Sequence, residues 1–96
     1  MLSLFVEYKI KDGLSRESFY ASLLEKRVIE KTLAEPGCSN YSFFYPAAGE
    51  NSLFLLESWE DEAAQAAHKK TDQFGILQIL KEVFVASVHL HNEIFL

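Results

Sequence analysis

The chain has 96 residues and a formal net charge of −5, with 49% of its residues hydrophobic and 14% aromatic. That length admits one domain with one modest core, and the acidic balance argues against the clustered Lys and Arg of a nucleic-acid footprint. No apolar run approaches the ~20 residues of a membrane-crossing helix, and the lone Cys38 rules out an intrachain disulfide, so a cytoplasmic protein is expected.

Leu2, Leu4, Val6, Tyr8 and Ile10 alternate with Ser3, Phe5, Glu7 and Lys9. That period of two predicts a strand rather than a signal peptide, ended by Asp12-Gly13. Ser15 is placed to cap a helix, with Glu17 in its first turn. Tyr20, Leu23, Leu24, Val28 and Leu33 form the apolar stripe of that helix, and Arg16, Glu25, Glu30 and Lys31 fall off it. Glu35-Pro36-Gly37 ends it, because proline lacks an amide donor and glycine tolerates the reversal. Ser39 to Tyr45 and Ser52 to Trp59 read as strands, joined as a hairpin by the six-residue turn Pro46 to Asn51. Glu60, Asp61 and Glu62 suit the start of the next helix and Lys69-Lys70 its end, where each charge offsets the helix dipole. Thr71 or Asp72 then caps a further helix from Phe74 to about Val83. A last strand sets Val88, Leu90 and Ile94 against His89, His91, Glu93 and Phe95.

The order is β-α-β-β-α-β with the second helix broken in two. It predicts a single α+β domain of ferredoxin-like topology over residues 1–96, an antiparallel four-stranded sheet with helices on one face. The other face should then be wet, yet Leu53-Phe54-Leu55-Leu56 is continuous and Tyr41 to Tyr45 is apolar on both parities. Runs of that kind belong to strands buried on both sides. A second copy packed sheet to sheet, a symmetric homodimer, is the expected cover, with an apolar cavity wherever side chains leave space.

In the strand ending at Trp59, Glu57 shares a face with Leu53, Leu55 and Trp59. A carboxylate in an apolar row needs a donor. His68, about two turns into the next helix and behind the small residues Ala63, Ala64, Ala66 and Ala67, is a candidate partner. A Glu57–His68 pair beside a Trp59 wall would make an acid/base couple in a setting that shifts pKa values. The same residues equally fit a structural role, with Glu57 paired to a helix end or a surface lysine and His68 satisfied and half-buried.

The pattern Glu35-Pro36-Gly37-Cys38-x-x-Tyr41, then Glu57-x-Trp59-Glu60-Asp61-x-x-Ala64-x-x-x-His68 and Phe74, resembles the antibiotic biosynthesis monooxygenase domain over nearly the whole chain. The resemblance implies a dimeric α+β barrel of ferredoxin-like protomers. Some members oxygenate quinols or anthrone-like polyketides with no metal, flavin or haem. It implies that Glu57, Trp59 and His68 line or support a pocket, with Tyr41 and Phe74 nearby to bind substrate, and that no cofactor is required. Haem-degrading relatives carry an asparagine in the first strand and a histidine after the phenylalanine. Here Leu2 to Ile10 holds no asparagine and Gln78 stands about where that histidine would be, so haem degradation is not expected. Another branch isomerises a phosphorylated signalling metabolite, for which Lys9, Arg27 and Lys69-Lys70 are the available cations.

The expected function is therefore a cofactor-free monooxygenase of a small aromatic, quinol- or anthrone-like compound. The alternatives are a proton-transfer isomerase of the same fold or a non-catalytic dimer that binds a small apolar ligand. His89-x-His91-x-Glu93 has a spacing metals can use, but it also fits a polar sheet edge or dimer rim, and no metal is expected. Cys38 has no basic cluster to activate it, and Gly13, Gly37, Gly49 and Gly75 are too isolated for a phosphate loop.

Overall fold

The computed structural model describes residues 1–95. Strand β1 (Leu2–Ile10) leads into helices α1 (Arg16–Glu25) and α2 (Val28–Leu33). Strands β2 (Cys38–Phe44) and β3 (Ser52–Trp59) follow, then helices α3 (Glu62–His68) and α4 (Asp72–Phe84) and strand β4 (Val85–Phe95). The strands form one antiparallel sheet in the order β2-β3-β1-β4. Phe19, Leu23, Val28 and Leu77 from the helices pack on Tyr8, Ile10, Tyr41, Leu53 and Leu55 of the sheet. The helices therefore lie on one face, and the ferredoxin-like reading holds.

The helix starts follow from their caps. Ser15, Asp61 and Thr71 each accept a hydrogen bond from the backbone amide three residues on, at Ser18, Ala64 and Phe74. Each satisfies an amide that the first helical turn leaves without a partner.

The first helix departs from expectation because it too is broken. Arg27 adopts a left-handed backbone with φ of 61°, and Lys26-Arg27 carries none of the glycine or asparagine that usually marks such a turn. The break rephases the stripe: Phe19, Leu23, Val28 and Thr32 are buried, whereas Leu24 and Leu33 are about half exposed. At the other end of the chain α4 runs to Phe84 and β4 begins at once, three residues earlier than its alternation implies.

Strand β4 also changes parity partway. Its register on β1 slips between Phe5 and Val6, so that Leu90 faces Val6, Asn92 faces Phe5 and His91 is the extra residue of a bulge. Glu93 and Ile94 thereby exchange the faces that strict alternation assigns them. His91 reaches Glu7 on the open face of the sheet, while Glu93 joins Leu90 and Val88 on the helix side. The three potential ligands do not share a face, and among the described residues no cluster suited to a metal ion forms. The expected facing of Phe95 lies outside the described side chains.

Candidate active site

Residues Glu57 and Trp59 lie on the helix-covered face of β3. Glu57 stands opposite Leu4 of β1 and Tyr41 of β2. A cavity of about 350 Å³ opens beside it, floored by Leu4, Val6 and Tyr8, roofed by His68, Lys69, Phe74 and Lys81, and walled by Val88, Leu90 and Glu93. Val88 and Leu90 are half exposed, because no helix covers the outer strand β4 and the cavity opens there. Glu57 and His68 thus face a cavity between the sheet and the helices of this chain, and not the open sheet face on which a second copy was expected to pack: the side chains that flank Glu57 along β3 are those the helices cover.

The Glu57 carboxylate is 8% exposed, and its Oε1 accepts the indole N–H of Trp59 at 2.9 Å. Burial raises its pKa above the ordinary carboxylate value. The Trp59 hydrogen bond and the positive charges of His68, Lys69 and Lys81 pull against that rise. Burial pushes the Lys81 ammonium down in pKa, against the pull of Glu57. Its Nζ donates to Gln78 Oε1 at 2.9 Å and sits 5.5 Å from the Tyr8 ring centroid. Desolvation, with Glu57 adding to it, raises the phenols of Tyr8 and Tyr41 well above their usual value, so both are neutral.

His68 is the last residue of α3, and its position there is locked from behind. Thr71, which caps α4, also donates its hydroxyl to the His68 carbonyl at 2.8 Å. The imidazole lies 4.8 Å from the Trp59 ring at 33° and meets the Phe74 ring edge-on at 5.1 Å. Its Nδ1 is 2.8 Å from Glu35 Oε2. The expected Glu57–His68 hydrogen bond does not form among the described residues. Each group has a nearer partner, Trp59 for the acid and Glu35 for the imidazole, although both face the same cavity.

The five residues singled out from sequence come together, in two layers. Glu57, His68 and Phe74 line the cavity. Trp59 and Tyr41 are buried behind it, where Trp59 carries His68 on one face and Tyr41 packs against the His68 edge at 6.0 Å. Trp59 is thus a tether for Glu57 and a backing for His68, and His68 stands where the stacking wall was expected. Among the described residues the Tyr41 hydroxyl has no hydrogen-bond partner.

Sequence reasoning missed Lys81 and Glu35. Lys81 follows Phe74 and Leu77 at helical spacing, and that stripe was the available signal. Glu35 opens the family pattern, but from the residues alone it reads only as part of a helix stop. Lys69 lines the cavity as well as ending α3. Burial and nearby Glu35 raise the Cys38 thiol pKa, in keeping with an unactivated cysteine.

A model of the family described as antibiotic biosynthesis monooxygenase matches residues 1–78. The "Putative monooxygenase YcnE" of Bacillus subtilis is 32% identical over 87 residues, covering 90% of this chain and 88% of that protein. The uncharacterized protein sll1783 of Synechocystis is 37% identical over 59 residues, which are 62% of this chain but only 39% of that protein's length. The crystal structure of PA3566 from Pseudomonas aeruginosa superposes with a TM-score of 0.84 at 21% identity, covering 99% of this chain and 92% of that one, a likeness of fold.

Proposed function

The chain belongs to the antibiotic biosynthesis monooxygenase family, and from that premise we propose that it is a cofactor-free monooxygenase of small aromatic compounds of quinol or anthrone type. The observation that carries this reading is a buried carboxylate, Glu57, in a cavity of mixed apolar and charged lining that also holds an ammonium, Lys81. A carboxylate raised in pKa is a stronger base than an exposed one, and it can take a phenolic proton. Lys81 then stabilises the developing phenolate, in surroundings where that attraction is little screened.

The anion is electron-rich enough to reduce oxygen directly. A hydroperoxide forms at a ring carbon and loses water, leaving a carbonyl. One oxygen atom enters the product and the other leaves as water with two hydrogens of the substrate, so no external reductant is consumed. The apolar side chains of Leu4, Val6 and Phe74 limit the water that reaches the intermediate. His68 is the second proton carrier of the site.

The test is oxygen uptake by metal-free protein across a panel of hydroquinones and anthrones. Turnover that falls roughly a hundredfold or more in Glu57→Gln is the expected result. No uptake with any member of the panel overturns the reading. Lys69 and Lys81 at the cavity favour one second reading, proton transfer on an anionic metabolite without oxygen. Turnover that persists anaerobically would select it.

We further propose a homodimer formed through the open sheet face. Phe5 and Phe54 stack there at 5.2 Å, beside partly buried Leu56 and half-exposed Phe44.

A further inference from the structure

Glu35 lies outside the cavity, on the turn before β2, and yet it joins three segments. Its Oε2 accepts the Gln73 amide N–H at 2.8 Å and stands 2.8 Å from Nδ1 of His68. The side chains of His68 and Glu35 are 3% and 9% exposed, so water does not compete for these bonds. We infer that Glu35 is a positioning residue: it sets the tautomer of His68, holding the proton on Nδ1 and leaving Nε2 as the nitrogen that exchanges protons with the cavity. The inference rests on the cavity being the reaction site, as proposed above.

The chemistry follows from what each atom can do. An oxygen that accepts from Gln73 is acting as an acceptor, and an ionised carboxylate has no proton to give. The imidazole nitrogen facing it must then be the one that carries hydrogen, and in the neutral ring the other nitrogen must hold the lone pair. Trp59 and Phe74 fix the plane of the ring, and the bond to Glu35 favours the orientation with Nδ1 toward the carboxylate. The proton that His68 takes up arrives at Nε2, while Nδ1 keeps its bond to Glu35. A buried carboxylate behind an imidazole has this effect wherever histidine works as a base. Gln73, in the first turn of α4, holds Glu35 in turn.

A strap that merely ties three segments together would not care which nitrogen is protonated, so the deciding measurement is the tautomer. Long-range 1H–15N correlation spectra of the imidazoles, recorded on the intact protein with the rings neutral, should show Nδ1 of His68 protonated and Nε2 bare. In Glu35→Leu no acceptor faces Nδ1, so the neutral ring should lose its Nδ1–H preference and move toward Nε2–H. Glu35→Asp, which keeps the carboxylate, should retain the wild-type pattern. A wild-type His68 in the Nε2–H form, or an unchanged tautomer in a folded Glu35→Leu, overturns the inference. If Glu35→Leu does not fold, the wild-type spectrum alone decides. These spectra need no substrate, so they stand or fall apart from the oxygen-uptake panel. With a turned-over quinol in hand, Glu35→Leu should lower kcat roughly ten- to a hundredfold with KM little changed. An unaltered kcat would leave Glu35 a structural strap and overturn its positioning role.

Discussion

Glu57 is unusual because the fold makes its ionisation costly while holding it in one place. Its pKa is raised by burial, so between the ordinary carboxylate value and the raised one the folded chain keeps a proton that the unfolded chain has released. Stability contributed by Glu57 is thus fully present below the unfolded pKa and is lost as pH rises through the folded one. Glu57→Gln, which cannot ionise but can still accept from Trp59, should match the wild type in thermal unfolding near about pH 4 and exceed it by about pH 8. A constant difference across that range would contradict the argument. Trp59→Phe removes the donor that lowers the Glu57 pKa. It should cost about 1–3 kcal/mol in denaturant unfolding, most of it at high pH where the carboxylate is charged.

Among the elements, α3 approaches the turn before β2 closely. Gly37 has φ of +82°, and a Cβ built there would lie 2.6 Å from the Ala64 Cβ. The Gly37 carbonyl accepts the Glu60 amide at 2.7 Å, which pins the start of α3 to the same turn. Glu35, two residues before Gly37, reaches His68 across this contact. Gly37→Ala should therefore cost at least about 2 kcal/mol, from backbone strain and overlap together. Against an Ala64→Gly background the same substitution should cost less, since only the strain is left, about 1 kcal/mol. Equal costs in the two backgrounds, measured by chemical unfolding, would show that the overlap is relieved elsewhere.

For the whole molecule, the two faces of the sheet divide the work. The helix face holds the cavity. The open face holds the Phe5–Phe54 stack above a buried polar set, in which Glu7 accepts from Ser52 at 2.8 Å and lies 2.7 Å from His91 Nε2. The His91 hydrogen bond holds the Glu7 carboxyl below its usual pKa. At ~25 cal/mol per Å² of apolar area, covering that face against a second copy is worth several kcal/mol. Sedimentation should report a dimer at micromolar concentration, and Leu56→Glu, at the centre of the face, should give a folded monomer. A wild-type monomer at that concentration removes the dimer proposal and leaves the cavity in place. No helix among the described residues is long and apolar enough to cross a membrane.

Short-range physics was legible in the sequence. The strands of period two, the caps at Ser15 and Thr71, the acidic start of α3 and the hairpin turn follow from residues a few positions apart, whereas Tyr41 and Phe74 were set beside Glu57, Trp59 and His68 only by the resemblance to the family. What depended on a single backbone angle was not legible: the left-handed Arg27 that splits the first helix, and the bulge at His91 that sends Glu93 to the cavity. Hydrogen-bond partners were not legible either. Residues 33 positions apart in the chain, Glu35 and His68, stand 2.8 Å apart only because α3 closes on the turn at Gly37. Periodicity decides which face of an element is apolar, whereas the packing of elements decides which polar atom each buried group finds. The sequence by itself determined that an acid and an imidazole would meet an apolar layer. Tertiary structure alone decided that Trp59 holds the acid, Glu35 holds the imidazole and Lys81 lines the same cavity, because those placements depend on ångström distances between elements that no local pattern encodes.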